Sequence, residues 1–276
     1  MIRGMIRGMI RSVMIRSLMI RKFAAIVAAA GLLSLVPAPA AGQGQGQGQG
    51  LPRTADGKPD LSGIWQTVNS AAWNILPHAA EAGVPAGLGV VEGNEIPYTP
   101  AAAAKQRENQ AKRATLDPES RCWLPGVPRA TYLGLPFQIV QTPTQIAMLY
   151  EYAHATRNIF MNSPHPKGPI EWWMGDSRAR WDGDTLVVDV VHFTNQTWLD
   201  RSGNHHSEEL HVVERYTPID RDHLMYEATL EDPQTYTRPW KMSMPLYRRV
   251  DRNMQLLEYE CNAFDEAFRT GPFEPQ

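Results

Sequence analysis

Residues 203–215 read GNHHSEELHVVER and place three histidines and three glutamates close together. Histidine and carboxylate side chains are the usual protein ligands of zinc and iron, and they are also the usual partners in proton transfer. The stretch therefore suggests two kinds of chemistry, a metal site and an acid–base site. A third interpretation is that it begins a β-strand whose polar residues face water.

In a metal site in this stretch, His205, His206 and His211 could join Glu208 or Glu209 around a divalent ion. If the stretch ends in a strand, alternation puts His211 on one face and Glu214 on the other. His205 and His206 precede that strand in a loop that we expect to be exposed, and they would reach His211 only if the loop folded back. We therefore predict no metal site and no cofactor for this chain.

Acid–base chemistry would use a histidine and a carboxylate on neighbouring strands. The pattern favours His211 and Asp189, since each lies in a run that alternates between apolar and polar residues. If their face lined a barrel, desolvation would raise the pKa of the carboxylate towards the range of a general acid or base. His206 and Glu227 are further catalytic candidates. The alternative interpretation is that these side chains are solvated on the outer face of an antiparallel sheet.

Aromatic residues crowd the second half of the chain. Tryptophan and tyrosine favour ligand pockets because they combine a large apolar face with a polar group, and a guanidinium can receive an anionic end of a ligand. We expect a ligand-binding set that consists of Trp181, Trp240, Tyr226, Tyr236 and Arg157. The alternative is that these side chains pack in the core and close the barrel.

The elements that must position these residues are short strands separated by turns. Asp182-Gly183 is the clearest hairpin turn, a helix should start at Pro100 and end before Asp117, and residues 254–261 should form the last strand. Parallel crossovers need about a dozen or more residues, so short connections favour antiparallel pairing. We predict a predominantly all-β fold, an antiparallel barrel of about 8 to 10 strands with a short helical N-terminal insertion.

Gly63-Ile64-Trp65 on the first predicted strand resembles the Gly-x-Trp motif of lipocalins and related calycin barrels. In those families a basic residue late in the barrel packs on the tryptophan, and Arg248 or Arg249 could do so here. The long insertion before Phe137 departs from a plain lipocalin. The resemblance implies a calycin-like barrel.

A second resemblance spans most of the chain after its first 41 residues. Residues 175–177, 183–189 and 210–215 are similar to a group of exported bacterial proteins that has no assigned function. This similarity implies export and a single domain, and it supplies no chemistry.

Residues 1–41 have the features of a secretory signal peptide. Arg21-Lys22 precede an apolar run, residues 23–36, and the small residues 38–40 follow it. The run is shorter than the roughly 20 residues of a membrane-spanning helix, so we expect cleavage and no stable membrane anchor afterwards. An uncleaved anchor is the alternative. The Met-Ile-Arg copies upstream of Met19 are interpreted as a misplaced start of translation.

The low-complexity Gly-Gln repeat that follows predicts a linker over residues 42–58, and a single barrel domain over residues 59–276. Removal of the leader would take away six of the 27 basic residues. The remaining chain would have 21 basic and 29 acidic residues, a formal charge of −8. Such an acidic chain disfavours nucleic acid as a partner, because phosphates need a basic surface.

Cys122 and Cys261 are the two cysteines of the chain, and in an exported protein they are expected to form a disulfide, with two buried thiols as the alternative. We expect a periplasmic or secreted protein that binds a small apolar or amphipathic molecule in the barrel. The alternative is an isomerase, lyase or cyclase that uses His211 and Asp189 in the same pocket. A third alternative is a structural protein with a filled barrel.

Overall fold

Nine β-strands close into a barrel in the order in which they follow one another along the chain. The computed structural model describes residues 50–259 and residue 261, so the predicted leader and most of the predicted linker lie outside the described residues. The strands are β1 (Gly63–Gln66), β2 (Phe137–Gln141), β3 (Gln145–Tyr150), β4 (Thr156–Met161), β5 (Asp176–Asp182), β6 (Thr185–Val191), β7 (His211–Pro218), β8 (His223–Glu231) and β9 (Trp240–Arg248). The prediction of a predominantly β barrel is confirmed.

Alternation within the strands gives the barrel an apolar interior. In β8 every second residue is buried: Leu224, Tyr226, Ala228 and Leu230. Tyr226 pairs across the sheet with Tyr216 on one side and Met244 on the other, and both are buried as well. A shift by one residue would turn this whole face towards water, so burial of the apolar set determines the register.

One pair of neighbouring strands is parallel. β4 and β5 run side by side, with Ile159 opposite Ser177 and Met161 opposite Ala179. Residues 162–175 connect the two strands, and a connection of about a dozen or more residues is what a parallel crossover requires. The barrel is therefore mixed, and the prediction of antiparallel pairing throughout was wrong here.

The first strand closes the barrel. β1 pairs with β2 through Gly63 and Ile139, and with β9 through Trp65 and Arg248. Because β1 already occupies the free edge of β9, no edge remains for a further strand. Residues 254–258 accordingly form no strand, and the predicted last strand over residues 254–261 was wrong.

The end of the barrel at β1 depends on a glycine. The Arg248 guanidinium carbon lies 4.2 Å from the centroid of the Trp65 ring, as expected for Arg248 or Arg249. A Cβ atom added to Gly63 would lie 2.2 Å from Nη1 of Arg248, and φ of Gly63 is +135°. Glycine is therefore required two residues before the tryptophan so that the arginine can cover its ring.

The predicted helix is present. Helix α1 (Pro100–Ala111) is followed by the short helix α2 (Arg113–Leu116), and the backbone leaves the helix before Asp117 as predicted. Thr99 caps α1 by accepting a hydrogen bond from the Ala102 amide at 3.3 Å. Within residues 50–259, no helix is long and apolar enough to cross a membrane.

Two contacts tie the ends of the described chain to the rest. The predicted disulfide is confirmed, because Cys122 and Cys261 are bonded with their Cα atoms 5.4 Å apart. Arg53 makes two hydrogen bonds, 2.9 and 2.8 Å long, to Asp184 in the β5–β6 turn. Residues before position 59, which were expected to be linker, therefore contact the barrel.

Candidate functional site

An ion pair lies inside the barrel. Arg157 of β4 donates from Nη1 to Glu214 of β7 at 3.2 Å, and from Nε to Ser177 at 2.9 Å. Glu214 also accepts hydrogen bonds from the hydroxyl groups of Tyr216 and Tyr226, at 3.0 and 2.8 Å. All five side chains are buried, where a charge is tolerated only with partners. Arg157 and Tyr226, both predicted to bind a ligand, thus hold Glu214.

The other three predicted ligand-binding residues also contact protein groups. Trp181 lies near the end of β5, half-buried against the core. The rings of Trp240 and Tyr236 meet edge to face with their centroids 5.4 Å apart. The Tyr236 hydroxyl donates to the His205 carbonyl at 2.8 Å. Trp240 and Tyr236 are thus part of the buried core, and Trp181 packs against it.

An acid–base cluster lies on the outer face of the barrel. His211 of β7 donates from Nε2 to Asp189 of β6 at 3.2 Å. His165, in the β4–β5 connection, lies 2.9 Å from Asp189 through Nε2 and 2.7 Å from Asp176 through Nδ1. Arg178 makes two hydrogen bonds to Asp176, at 2.6 and 2.8 Å. The predicted pair, His211 and Asp189, is in direct contact, and His165 joins it to a second carboxylate.

The pKa shifts in this cluster follow from its ion pairs. The hydrogen bond from His211 lowers the pKa of Asp189, and the same contact raises the pKa of His211. Burial alone would raise the pKa of Asp176, but hydrogen bonds from Arg178 and His165 outweigh it, and the pKa is lowered. The expected desolvated carboxylate with a raised pKa is thus not Asp189. Its side chain is 36% exposed on the outer face.

The two other predicted catalytic residues lie outside this cluster. His206 is buried, donates from Nδ1 to the Ser207 carbonyl at 2.8 Å, and accepts from the Thr197 hydroxyl at 2.7 Å. Glu227 lies half-buried on β8 opposite Arg215. Neither makes a hydrogen bond to His211, because strand pairing and the loop before β7 hold them elsewhere.

The adjacent histidines of the opening stretch are not exposed, contrary to expectation. His205 is half-buried, and its Nε2 lies 3.1 Å from the Ala102 carbonyl of α1. Burial lowers the pKa of both His205 and His206. Within the described part of the chain, no group of three or more His, Cys, Asp or Glu side chains is arranged to hold a metal ion.

A cleft of about 580 Å³ lies beside the barrel. We call it the Trp73 cleft. Three separate segments form its walls: the irregular chain before α1, the region from α1 to Ser120, and the loop before β7. Its lining residues are Trp73, Asn74, His78, Glu81, Ala82, Gly83, Val84, Gln110, Arg113, Ala114, Asp117, Glu119, Ser120, Arg201 and Ser202.

One wall of the cleft is a stacked pair. The guanidinium carbon of Arg201 lies 4.1 Å from the centroid of the Trp73 ring. Glu119 holds that guanidinium by accepting from Nε at 2.7 Å and from Nη2 at 2.5 Å. Buried Arg129 donates to the same glutamate at 2.7 Å. Arg201 is therefore fixed from two sides before any ligand arrives.

Buried Asp200 joins two walls of the cleft. Its carboxylate accepts from the amides of Ile75 and Ser202, each at 2.9 Å, and from Nδ2 of Asn204 at 2.6 Å. The Ser202 hydroxyl donates to the Trp73 carbonyl at 2.9 Å. Burial raises the pKa of Asp200 to about 6. The segment that carries Trp73 and the loop that carries Arg201 therefore depend on one carboxyl group.

Sequence reasoning missed most residues of these sites, among them Glu214, His165, Trp73 and Arg201. Glu214 was detectable, since it occupies an inward position between buried Val212 and Tyr216 and so needs a cationic partner. His165, Trp73 and Arg201 lie in irregular segments without periodicity, so no local pattern indicates their neighbours.

The chain matches no protein-family model, no curated protein and no solved structure.

Proposed function

We propose that this is an exported protein that binds a small molecule, and that the ligand occupies the Trp73 cleft. The single observation that supports this site is the cleft itself, about 580 Å³ in volume with the Trp73 ring on its wall. Ligand sites in proteins typically measure about 300 to 1,000 Å³ and present a few fixed polar groups on an apolar lining. Arg201 is such a fixed group.

The barrel interior is the less favourable location for the ligand. Arg157 and Glu214 neutralise each other there, and Ser177 and two tyrosine hydroxyl groups complete their hydrogen bonds. A ligand in that space would have to displace a satisfied buried network, which carries a large desolvation cost. The expected function of ligand binding is therefore kept, and its place moves from inside the barrel to the cleft beside it.

Substitution of Trp73 tests the proposal directly. Native mass spectrometry of the protein, purified from an oxidising compartment, should show a small molecule that is reduced or lost in Trp73→Ala. Trp172→Ala is the matched control, because Trp172 is exposed and does not line the cleft. Retention of the molecule by Trp73→Ala, or its equal loss in both variants, would argue against this site.

Export is part of the proposal. The leader-like residues 1–41 and the Cys122–Cys261 disulfide support it, because disulfides persist mainly in oxidising compartments. N-terminal sequencing of the protein from a periplasmic or secreted fraction tests it. A chain that keeps residues 1–41 and stays in the cytoplasm would contradict export.

A calycin-like relationship is proposed on the same footing. The Gly63–Trp65 motif and the packing of Arg248 on Trp65 support it. The parallel β4–β5 pair is a departure from an up-and-down antiparallel barrel. An experimental structure that aligned β1 and β9 with the corresponding calycin strands would support the relationship, and one with a different strand order would oppose it.

Proton-transfer chemistry is the second candidate function, as an isomerase, lyase or cyclase. The contact of His211 with Asp189 at 3.2 Å favours it, since a carboxylate orients a histidine for acid–base work. Any isomerase, lyase or cyclase activity found should fall in His211→Gln and Asp189→Asn. His223→Gln is the control, because His223 also bonds an aspartate, Asp220, on an exposed surface. Equal activity in all three variants would exclude the cluster.

A further inference from the structure

The Trp73 cleft offers hydrogen-bond donors that the protein leaves unused. Arg201 uses Nε and Nη2 for Glu119, while its Nη1 donates to no residue in the described part of the chain. Arg113 faces the same cleft and makes one long contact, 3.5 Å, with exposed Glu81. Gln110 also lines the cleft, and its side-chain amide makes no hydrogen bond within residues 50–259. The free polar groups of the cleft are therefore mainly N–H donors without an acceptor in the described residues.

The deeper carboxylates of the cleft are already neutralised. Asp117 accepts from both terminal nitrogens of buried Arg129, at 2.9 and 3.1 Å. Glu119 accepts from Arg129 and from Arg201. Burial alone would raise the pKa of Glu119, but these arginines outweigh it and the pKa is lowered. Both acids are paired with arginines, so they offer little repulsion to an incoming anion.

The charge balance limits how much negative charge the ligand can carry. Three arginines, Arg113, Arg129 and Arg201, face three acids, Glu81, Asp117 and Glu119. A single negative charge could take the place of loosely held Glu81 beside Arg113. A dianion such as a phosphate monoester would leave one charge without a partner in a partly desolvated site.

The remaining lining is apolar or small. Trp73 presents its ring, and Ala82, Val84 and Ala114 line the same cleft. An aromatic or aliphatic body of a ligand would be matched by these groups, because burial of apolar surface favours binding without direction. The cleft thus combines an apolar part with a group of arginine donors.

We infer that the Trp73 cleft takes a small amphipathic carboxylate, with an apolar or aromatic body against Trp73 and the carboxylate at Nη1 of Arg201 and at Arg113. This inference rests on the proposed function, since it assigns a ligand class to the same site. Arg201 is the specificity-determining residue, because Glu119 and Trp73 hold its guanidinium in place.

Matched acids and amides test the inference. Indole-3-acetate, 3-phenylpropionate and their primary amides would be titrated into the disulfide-bonded protein, with saturation-transfer NMR and calorimetry as readouts. The acids should bind about tenfold or more tightly than the amides, because a hydrogen bond to a charged group is worth more than one to a neutral group. This preference should shrink in Arg201→Gln and Arg113→Gln. It should be unchanged in Arg238→Gln, an exposed position outside the cleft.

The outcomes separate the two proposals. Equal binding of acids and amides, lost in Trp73→Ala, would overturn the carboxylate inference and keep the cleft as a binding site. Failure of both series to bind, or binding that Trp73→Ala leaves intact, would overturn the proposed function and this inference with it. Because the acid–amide comparison uses the unmodified protein, it holds even if an arginine variant fails to fold.

Discussion

Arg157 and Glu214 form a hydrogen-bonded ion pair that is almost completely removed from solvent, with exposed fractions of 2% and 0%. They lie on strands β4 and β7, so the pair crosses the interior of the barrel. Removal of one partner leaves the other charge buried alone, whereas an apolar pair of similar size is tolerated.

Glu214→Leu should therefore destabilise the protein by about 3 to 5 kcal/mol, since Arg157 would be left uncompensated. The double variant Arg157→Met/Glu214→Leu should recover much of that loss. Urea denaturation of the two variants and the wild type measures the free energy of unfolding. A double variant that is no more stable than Glu214→Leu would show that the loss comes from packing and not from charge.

Reduction of the Cys122–Cys261 disulfide should lower the thermal midpoint. The bridge spans 139 residues. Because it restricts the unfolded chain, it stabilises the folded state by about 2 to 5 kcal/mol. Melting curves with and without reductant measure the effect. The thermal midpoint of Cys122→Ser/Cys261→Ser should equal that of the reduced wild type, and reductant should not change it. A reductant-induced shift that persists in this variant would contradict the assignment.

The stability contributed by His211 and Asp189 should be greatest between about pH 4 and pH 6.5. The pKa of Asp189 is lowered, so its contribution is lost as the pH falls through the folded value. The pKa of His211 is raised, so its contribution is lost as the pH rises through the folded value. Urea midpoints measured against pH should fall less on the alkaline side in His211→Gln than in the wild type. A pH profile of His211→Gln that overlays that of the control, His223→Gln, would refute this.

Asp200 should make the Trp73 cleft sensitive to pH near 6. Burial raises its pKa to about 6, so the folded state favours the protonated form, and that contribution to stability is lost as the pH rises through 6. Because Asp200 bonds the segment next to Trp73, the fluorescence of that residue should change over the same interval. The difference between wild type and Trp73→Phe isolates the emission of Trp73. The same transition in Asp200→Asn would assign it to another group.

Much of the barrel follows from local patterns. Alternation over β5 to β8 predicts the hairpins and places His211 and Glu214 on opposite faces, as observed. Proline in the first turn predicts the start of α1 at Pro100. These features depend on neighbours within a few residues, and such neighbours are visible in the sequence.

The remaining features depend on contacts between distant segments. The parallel β4–β5 pair, the closure by β1 and the position of His165 each require a connection to take one path among several. The Trp73 cleft forms where three segments that are distant in the sequence meet, and Asp200 joins two of them.

The sequence alone thus determined which residues of a strand share a face, where the helix starts and which cysteines could pair, because backbone geometry repeats locally. Only the tertiary structure decided that Arg157 neutralises Glu214 inside the barrel and that Arg201 covers Trp73 outside it. The physical reason is that a buried charge is neutralised by whichever opposite charge lies near it in the folded chain. Loops without periodicity carry no local pattern from which such a contact could be predicted.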